Sequence, residues 1–148
     1  NTRKALSLDG LLDLAPSLRA LDLALCTRLE SLDGIGHPGL ECLDIQGCSR
    51  IEDLAPLADA MNLKLLQLEQ ARTPPLSALA DHPSLEIVFV VGRVPESEVR
   101  ALMAAPALRM IVANGNWWVR EGRDGSFEAR EYEDVAELEH YRFELMRQ

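Results

Sequence analysis

Histidine and cysteine are scarce in this chain, three of each: His37, His82 and His140, and Cys26, Cys42 and Cys48. Histidine offers a general base or a metal ligand, cysteine a nucleophile or a soft ligand, and a pair of carboxylates an acid and a base. Spacing argues against each use. His37 and His82 both stand before a proline, in Gly36-His37-Pro38-Gly39 and Asp81-His82-Pro83-Ser84. That context is turn chemistry in the loops leading into a new strand. His140 lies among acids and reads as surface. No C-x-x-C pair exists to start a zinc site, and Cys42 has no histidine at a spacing that would activate it. Phosphate-binding glycine loops, nucleophile elbows and the H-E-x-x-H zinc helix are all missing. Asp-Gly at 9–10, 33–34 and 124–125 lacks the acidic ladder of a calcium loop. The reading is therefore not an enzyme: no catalytic residue, no metal and no cofactor.

The elements that would position these groups are announced by leucine, 26 of 148 residues, of which 22 fall in residues 1–85. The length suits one ordinary domain able to bury its own core. A formal net charge of -9 argues against nucleic acid or an anionic membrane as partner, since either calls for a basic face. No apolar run approaches the length of a membrane span. An odd number of cysteines without close pairs fits a reduced, cytoplasmic protein. Thirteen arginines against Lys4 and Lys64 point to a bacterial, GC-rich source. A start at Asn1 rather than Met reads as a piece of a longer protein or a processed product.

The leucines repeat. Leu21-Asp22-Leu23 returns as Leu43-Asp44-Ile45, Leu66-Gln67-Leu68, Val88-Phe89-Val90 and Ile111-Val112-Ala113, at intervals of 22, 23, 22 and 23 residues. Three residues before each step stands Leu18, Leu40, Leu63, Leu85 or Leu108. One such strand cannot bury its leucines alone, so the units must stack, each strand pairing in parallel with the next. Pro56, Pro75 and Pro95 mark helical starts in the returns. The first two full returns are too short for more than a 3₁₀ turn, whereas residues 95–104 predict an α-helix.

Leu18-x-x-Leu21-x-Leu23-x-x-Cys26 and Leu40-x-x-Leu43-x-Ile45-x-x-Cys48 resemble the leucine-rich repeat, L-x-x-L-x-L-x-x-N/C-x-L, over roughly residues 3–116. The resemblance implies an α/β solenoid over 1–116, with a parallel sheet on its concave face and short helical or 3₁₀ returns on its convex face. It also implies a structural role for Cys26 and Cys48, which hold the position that bonds the turn. That position holds Ala71 and Arg93 in later units and returns to asparagine at Asn116. The third and fourth units are therefore expected to be less regular there.

After Asn116 the rhythm stops. Residues 117–148 read as a separate capping module, with a β-hairpin about Gly122-Arg123-Asp124-Gly125 and then a helix capped by Asp134. The tryptophans Trp117 and Trp118 are expected to pack on the last unit, because a terminal unit exposes its core edge unless covered.

In such an architecture the residues flanking the leucines face the concave side. Asp22, Asp44 and Glu69 make it acidic at one end, with Gln67 presented beside them, while Leu65, Ile87, Phe89, Val91, Met110 and Val112 make it apolar at the other. The apolar group reads as a docking surface, as a face lidded by the C-terminal segment, or as strands buried on both faces. The acids read as a solvated surface or as recognition of a basic segment. The expectation is a non-catalytic protein-protein interaction module, the sensor or adaptor domain of a larger signalling or defence protein. A free-standing immunity-type inhibitor of a basic partner is the second reading. The third is a regulatory segment of an enzyme whose active site lies in a missing N-terminal part.

Overall fold

Apolar alternation makes each of the five repeated steps a strand, and the strands find one another in register. In a computed structural model that describes residues 8, 10–70, 72–120 and 124–130, a short helix α1 (Leu11–Leu14) precedes β1 (Ala20–Asp22) and β2 (Cys42–Asp44). Then come β3 (Leu65–Glu69), β4 (Ile87–Val91), the helix α2 (Glu96–Leu102), β5 (Met110–Ala113), β6 (Asn116–Arg120) and β7 (Phe127–Arg130). The seven strands form one sheet in chain order, the first five parallel and the last two antiparallel. Leu21, Leu43, Leu66, Val88 and Ile111 stand side by side across it, so the register follows the sequence interval. The central strands β3 and β4 run five residues and β1 and β2 three.

Parallel neighbours need a crossover, and every described return lies on the same face of the sheet. Leu29, Leu32, Ile35, Leu54, Leu57, Leu76, Leu79, Val99 and Leu102 close over the strand leucines in one continuous core. Residues Ala55–Asp59 and Leu76–Leu79 are 3₁₀ turns, whose i, i+3 side chains eclipse and so aim Leu54 and Leu57, or Leu76 and Leu79, at the same core. The return between β4 and β5 makes the α-helix expected from residues 95–104, starting one residue later and ending two residues earlier. Pro56 sits inside its 3₁₀ turn, but Pro75 and Pro95 occupy the cap position just before theirs. Glu98 of α2 reaches back to accept the Ser77 N–H at 2.9 Å, tying one return to the previous one.

A charge ladder runs beside the strands. Arg19, Glu41, Lys64, Glu86 and Arg109 precede successive strands at the repeat interval, with signs alternating. Arg19 grips Glu41 at 2.6 and 3.0 Å, and Arg109 approaches Glu86 at 3.8 Å. Exposed pairs of this kind contribute under about 1 kcal/mol each. Their larger effect is on strand order, since skipping a unit would set Arg19 beside Lys64 or Glu41 beside Glu86.

The sheet does not stop where the leucine rhythm does. Asn114 and Gly115, both at positive φ (54° and 73°), make a two-residue hairpin that returns β6 against β5, and β7 then folds back on β6. This corrects the reading of Asn116 as the repeat's turn-bonding residue. Asn116 is exposed in β6 opposite Ala113, and Asn114 instead grips Val94, accepting its N–H at 2.8 Å and donating to its carbonyl at 2.7 Å. The third unit is also bonded at its turn. Gln70 donates to the Cys48 carbonyl at 2.7 Å, as Cys48 Sγ donates to the Leu23 carbonyl at 3.0 Å. Trp117 and Trp118 alternate across the sheet, Trp118 toward the main core and Trp117 toward the opposite face. The helix read after Asp134 lies outside the described residues.

Arg120 ends the stack. Its guanidinium donates to the carbonyls of Met103 at 2.6 Å, Pro106 at 3.1 Å and Ala105 at 3.4 Å, at the C-terminal end of α2, and lies 4.6 Å from the Phe127 ring centroid. A cation there satisfies carbonyls past the end of α2 and complements the negative end of the helix dipole. Arg120→Met keeps the packing of the stem and removes these bonds. Urea denaturation should show a loss of about 2–4 kcal/mol, charge-assisted bonds being worth about 1.5–3 kcal/mol each and not additive. A loss below about 0.5 kcal/mol would show that solvent serves those carbonyls equally well.

Candidate interaction surface

The side of the sheet away from the returns carries three rows of side chains, two residues apart along each strand. The first holds Ala20, Cys42, Leu65, Ile87 and Met110. The second holds Asp22, Asp44, Gln67, Phe89 and Val112, and Glu69 and Val91 lie in the third. Exposure along these rows falls sharply from β1 to β5. Leu65, Ile87, Met110 and Val112 are buried and form a second core with Trp117 and Val119, against which Cys42 and Phe89 pack. The apolar group is therefore not an open docking surface: of its six members only Val91, half exposed at 50 %, stands free of burial, with Phe89 intermediate. In the first two rows the sheet at β3 to β5 is therefore largely buried on this face as well, whereas Glu69 and Val91 in the third row are exposed.

The acidic end stays accessible. Asp22 and Glu69 are exposed, Asp44 is half-buried and Gln67 is buried. Asp22, Asp44 and Gln67 are register partners on adjacent strands. Both aspartates also build the backbone. Asp22 accepts the Ala24 N–H and Asp44 the Gln46 N–H, each at 2.9 Å, closing the turn two residues on. This fixes each carboxylate on the face instead of leaving it to swing in solvent. They form a ridge between two hollows. One, of about 230 Å³, is lined by Ala20, Asp22, Cys42, Asp44, Leu65 and Gln67. The other, about 560 Å³, lies past the strand ends and is lined by Leu25, Gln46, Gly47, Glu69, Gln70 and Val91 among others.

The larger hollow was not foreseen, although its signal was in the repeat. Leu25, Gly47, Gln70, Gly92 and Gly115 recur at the same 22- and 23-residue intervals, one position beyond the last residue considered for the face. Gly47 and Gly92 have positive φ of 75° and 127°; Leu25 has 65° without being glycine. A left-handed leucine costs about 1–2 kcal/mol. Its side chain is 77 % exposed and lies across Gly47, where an added Cβ would meet Leu25 Cδ2 at 2.7 Å.

The histidines and cysteines go elsewhere. His37 and His82 are buried in the loops before β2 and β4. His37 Nε2 lies 2.7 Å from the Ala15 carbonyl and its Nδ1 accepts the Gly39 N–H at 3.0 Å. His82 Nε2 faces the carbonyls of Leu57 and Ala60 at 3.0 and 3.1 Å, while Nδ1 accepts from Leu85 at 3.1 Å. Each ring thus stitches one return to the one before it. Burial pushes the His82 pKa down, against the two carbonyls that favour its charged form. Cys42 is raised by burial and by Glu41, and Cys48 chiefly by burial, so both stay thiols at neutral pH. Among the described residues no three His, Cys, Asp or Glu gather as a metal site, and no helix is long and apolar enough to cross a membrane.

The depressed His82 pKa has a defined sign. The unfolded histidine binds its proton near pH 6.5 and the folded one only at lower pH, so protonation favours unfolding. Its contribution is present above about pH 6.5 and is lost as pH falls toward the folded value. Between pH 7.5 and 5, the native protein should lose more stability in urea titrations than His82→Gln does. Parallel pH curves for the two proteins would show that His82 does not carry this dependence.

Compared with protein-family models, curated proteins and solved structures, the chain matches no family, no curated protein and no solved structure.

Proposed function

We propose that the chain is a leucine-rich-repeat solenoid with a C-terminal cap, and that it acts as a non-catalytic protein-interaction module whose concave face binds a basic segment of a partner protein. The observation that carries this reading is the placement of Asp22, Asp44 and Glu69. They occupy the part of the outer face that the second core leaves accessible, and the two aspartates are held there by backbone bonds. Carboxylates a strand spacing apart, about 5 Å, repel, and a guanidinium or ammonium between them relieves that repulsion. Fixed side chains on a regular lattice also lose little entropy on binding. A sensor or adaptor domain of a larger signalling or defence protein fits this chemistry. So does a free-standing inhibitor that neutralises a basic partner, which the acidic ridge specifically favours.

Asn keeps the turn bond that Asp makes and removes only the charge, so Asp22→Asn with Asp44→Asn separates the two roles. Binding of a fluorescent nona-arginine peptide should weaken at least fivefold in this double variant, with little change in thermal stability. Asp59→Asn with Asp81→Asn, an equal charge change on the returns, should weaken it less than twofold. Equal losses in both variants would reduce the interaction to the general charge of -9 and sink the reading.

A further inference from the structure

The hollow past the strand ends carries both charge and apolar anchors, and the ridge forms its lip. Ala24 and Gln46 line it, and these are the residues whose N–H groups Asp22 and Asp44 accept. Among the described residues that line it, Glu69 is the one ionised side chain. Arg72 and Arg93 are exposed nearby in sequence but are not part of that lining. Its two large exposed apolar side chains are Leu25, from the unit of β1, and Val91, from β4. The backbones that carry them are three strand spacings apart, about 14 Å, and the Leu25 side chain leans across Gly47 into that span. Between them lie Gly47 and the side chains of Gln46, Ser49, Glu69 and Gln70. A Cβ on Gly47 would strike Leu25, and one on Gly92 would come within 2.8 Å of the Gln70 carbonyl oxygen.

We infer that this groove takes an extended peptide segment of a partner, lying across the strands, in which a lysine or arginine is flanked two residues away on each side by an apolar residue. The inference rests on the reading of this face as a binding surface for a basic segment. The spacing follows from chain geometry. An extended chain rises about 3.4 Å per residue and sends alternate side chains to one side, so residues i and i+4 stand about 14 Å apart and share a face with i+2. The outer two then meet Leu25 and Val91, and the central cation reaches Glu69 and the carboxylate lip. A polycation without apolar residues would leave both anchors unused. An apolar peptide without a cation would leave Glu69 without a counter-charge.

The test is a titration of the isotope-labelled protein, followed by amide NMR, with the blocked pentapeptide leucine–threonine–arginine–threonine–valine. A nona-arginine peptide is titrated in parallel. Saturable shifts are expected at Leu25, Gly47, Gln70 and Gly92. Affinity should fall about tenfold or more when the peptide arginine becomes glutamate, and likewise in Leu25→Gly and Glu69→Gln. Leu25→Gly removes the anchor and relaxes the left-handed backbone, so its melting temperature should hold or rise, and weaker binding there cannot be ascribed to unfolding. Shifts from nona-arginine confined to Asp22, Asp44 and Gln67, with none from the pentapeptide, would overturn the groove and leave the acidic ridge standing. Absence of shifts on this face with either peptide would overturn both.

Discussion

The rest of the structure depends on one constraint: no unit of this chain can bury its own strand. A three- to five-residue step of alternating leucines presents half its apolar surface to a return too short to cover it, so each unit's core is completed only by its neighbours. The repeat interval therefore has to hold to within a residue. A slip of one would turn every leucine outward. The single continuous core and the alternating charges beside the strands are two expressions of that requirement.

Stacking settles the apolar side and leaves a polar problem along the returns, where carbonyls turn inward without a regular ladder. One position of the repeat deals with it in alternation: Ala15, His37, Ala60, His82 and Ala105. The small residue leaves its carbonyl open, and the imidazole of the next unit reaches it. At Ala105 the Arg120 guanidinium takes the place of the imidazole. The histidines that first drew notice as chemistry are thus spent on holding neighbouring returns together.

Much of this was legible because it is periodic. Strand positions, their order and register, the 3₁₀ and α-helical returns and the hairpin at Asp124-Gly125 follow from spacing and turn chemistry. What escaped is where the chain departs from its own period. Asn116 sits where the interval demands, but Asn114-Gly115 is a stronger local signal for a two-residue hairpin, and it reverses the chain two residues early. Gln70 performs its turn's bond one position from where the pattern places it, because a long amide reaches what Ala71 has no group to make. The apolar outer face was read with its alternatives open, since a row of Ile, Phe, Met and Val looks the same whether exposed or buried. The groove lay beyond the strand, where alternation gives no direction and only φ angles show what leucine and glycine are doing.

The reversal at Asn114-Gly115 also bears on how the sheet comes to exist. Every parallel pair must close a loop of 22 or 23 residues before its first contact forms, whereas β5 and β6 meet across two. Loop-closure entropy makes that hairpin the cheapest pairing in the sheet, and hairpins of this size form in microseconds. Once β5 is ordered it offers a template to β4, then β4 to β3. Assembly then runs backwards along the chain, from the β5–β6 hairpin toward β1.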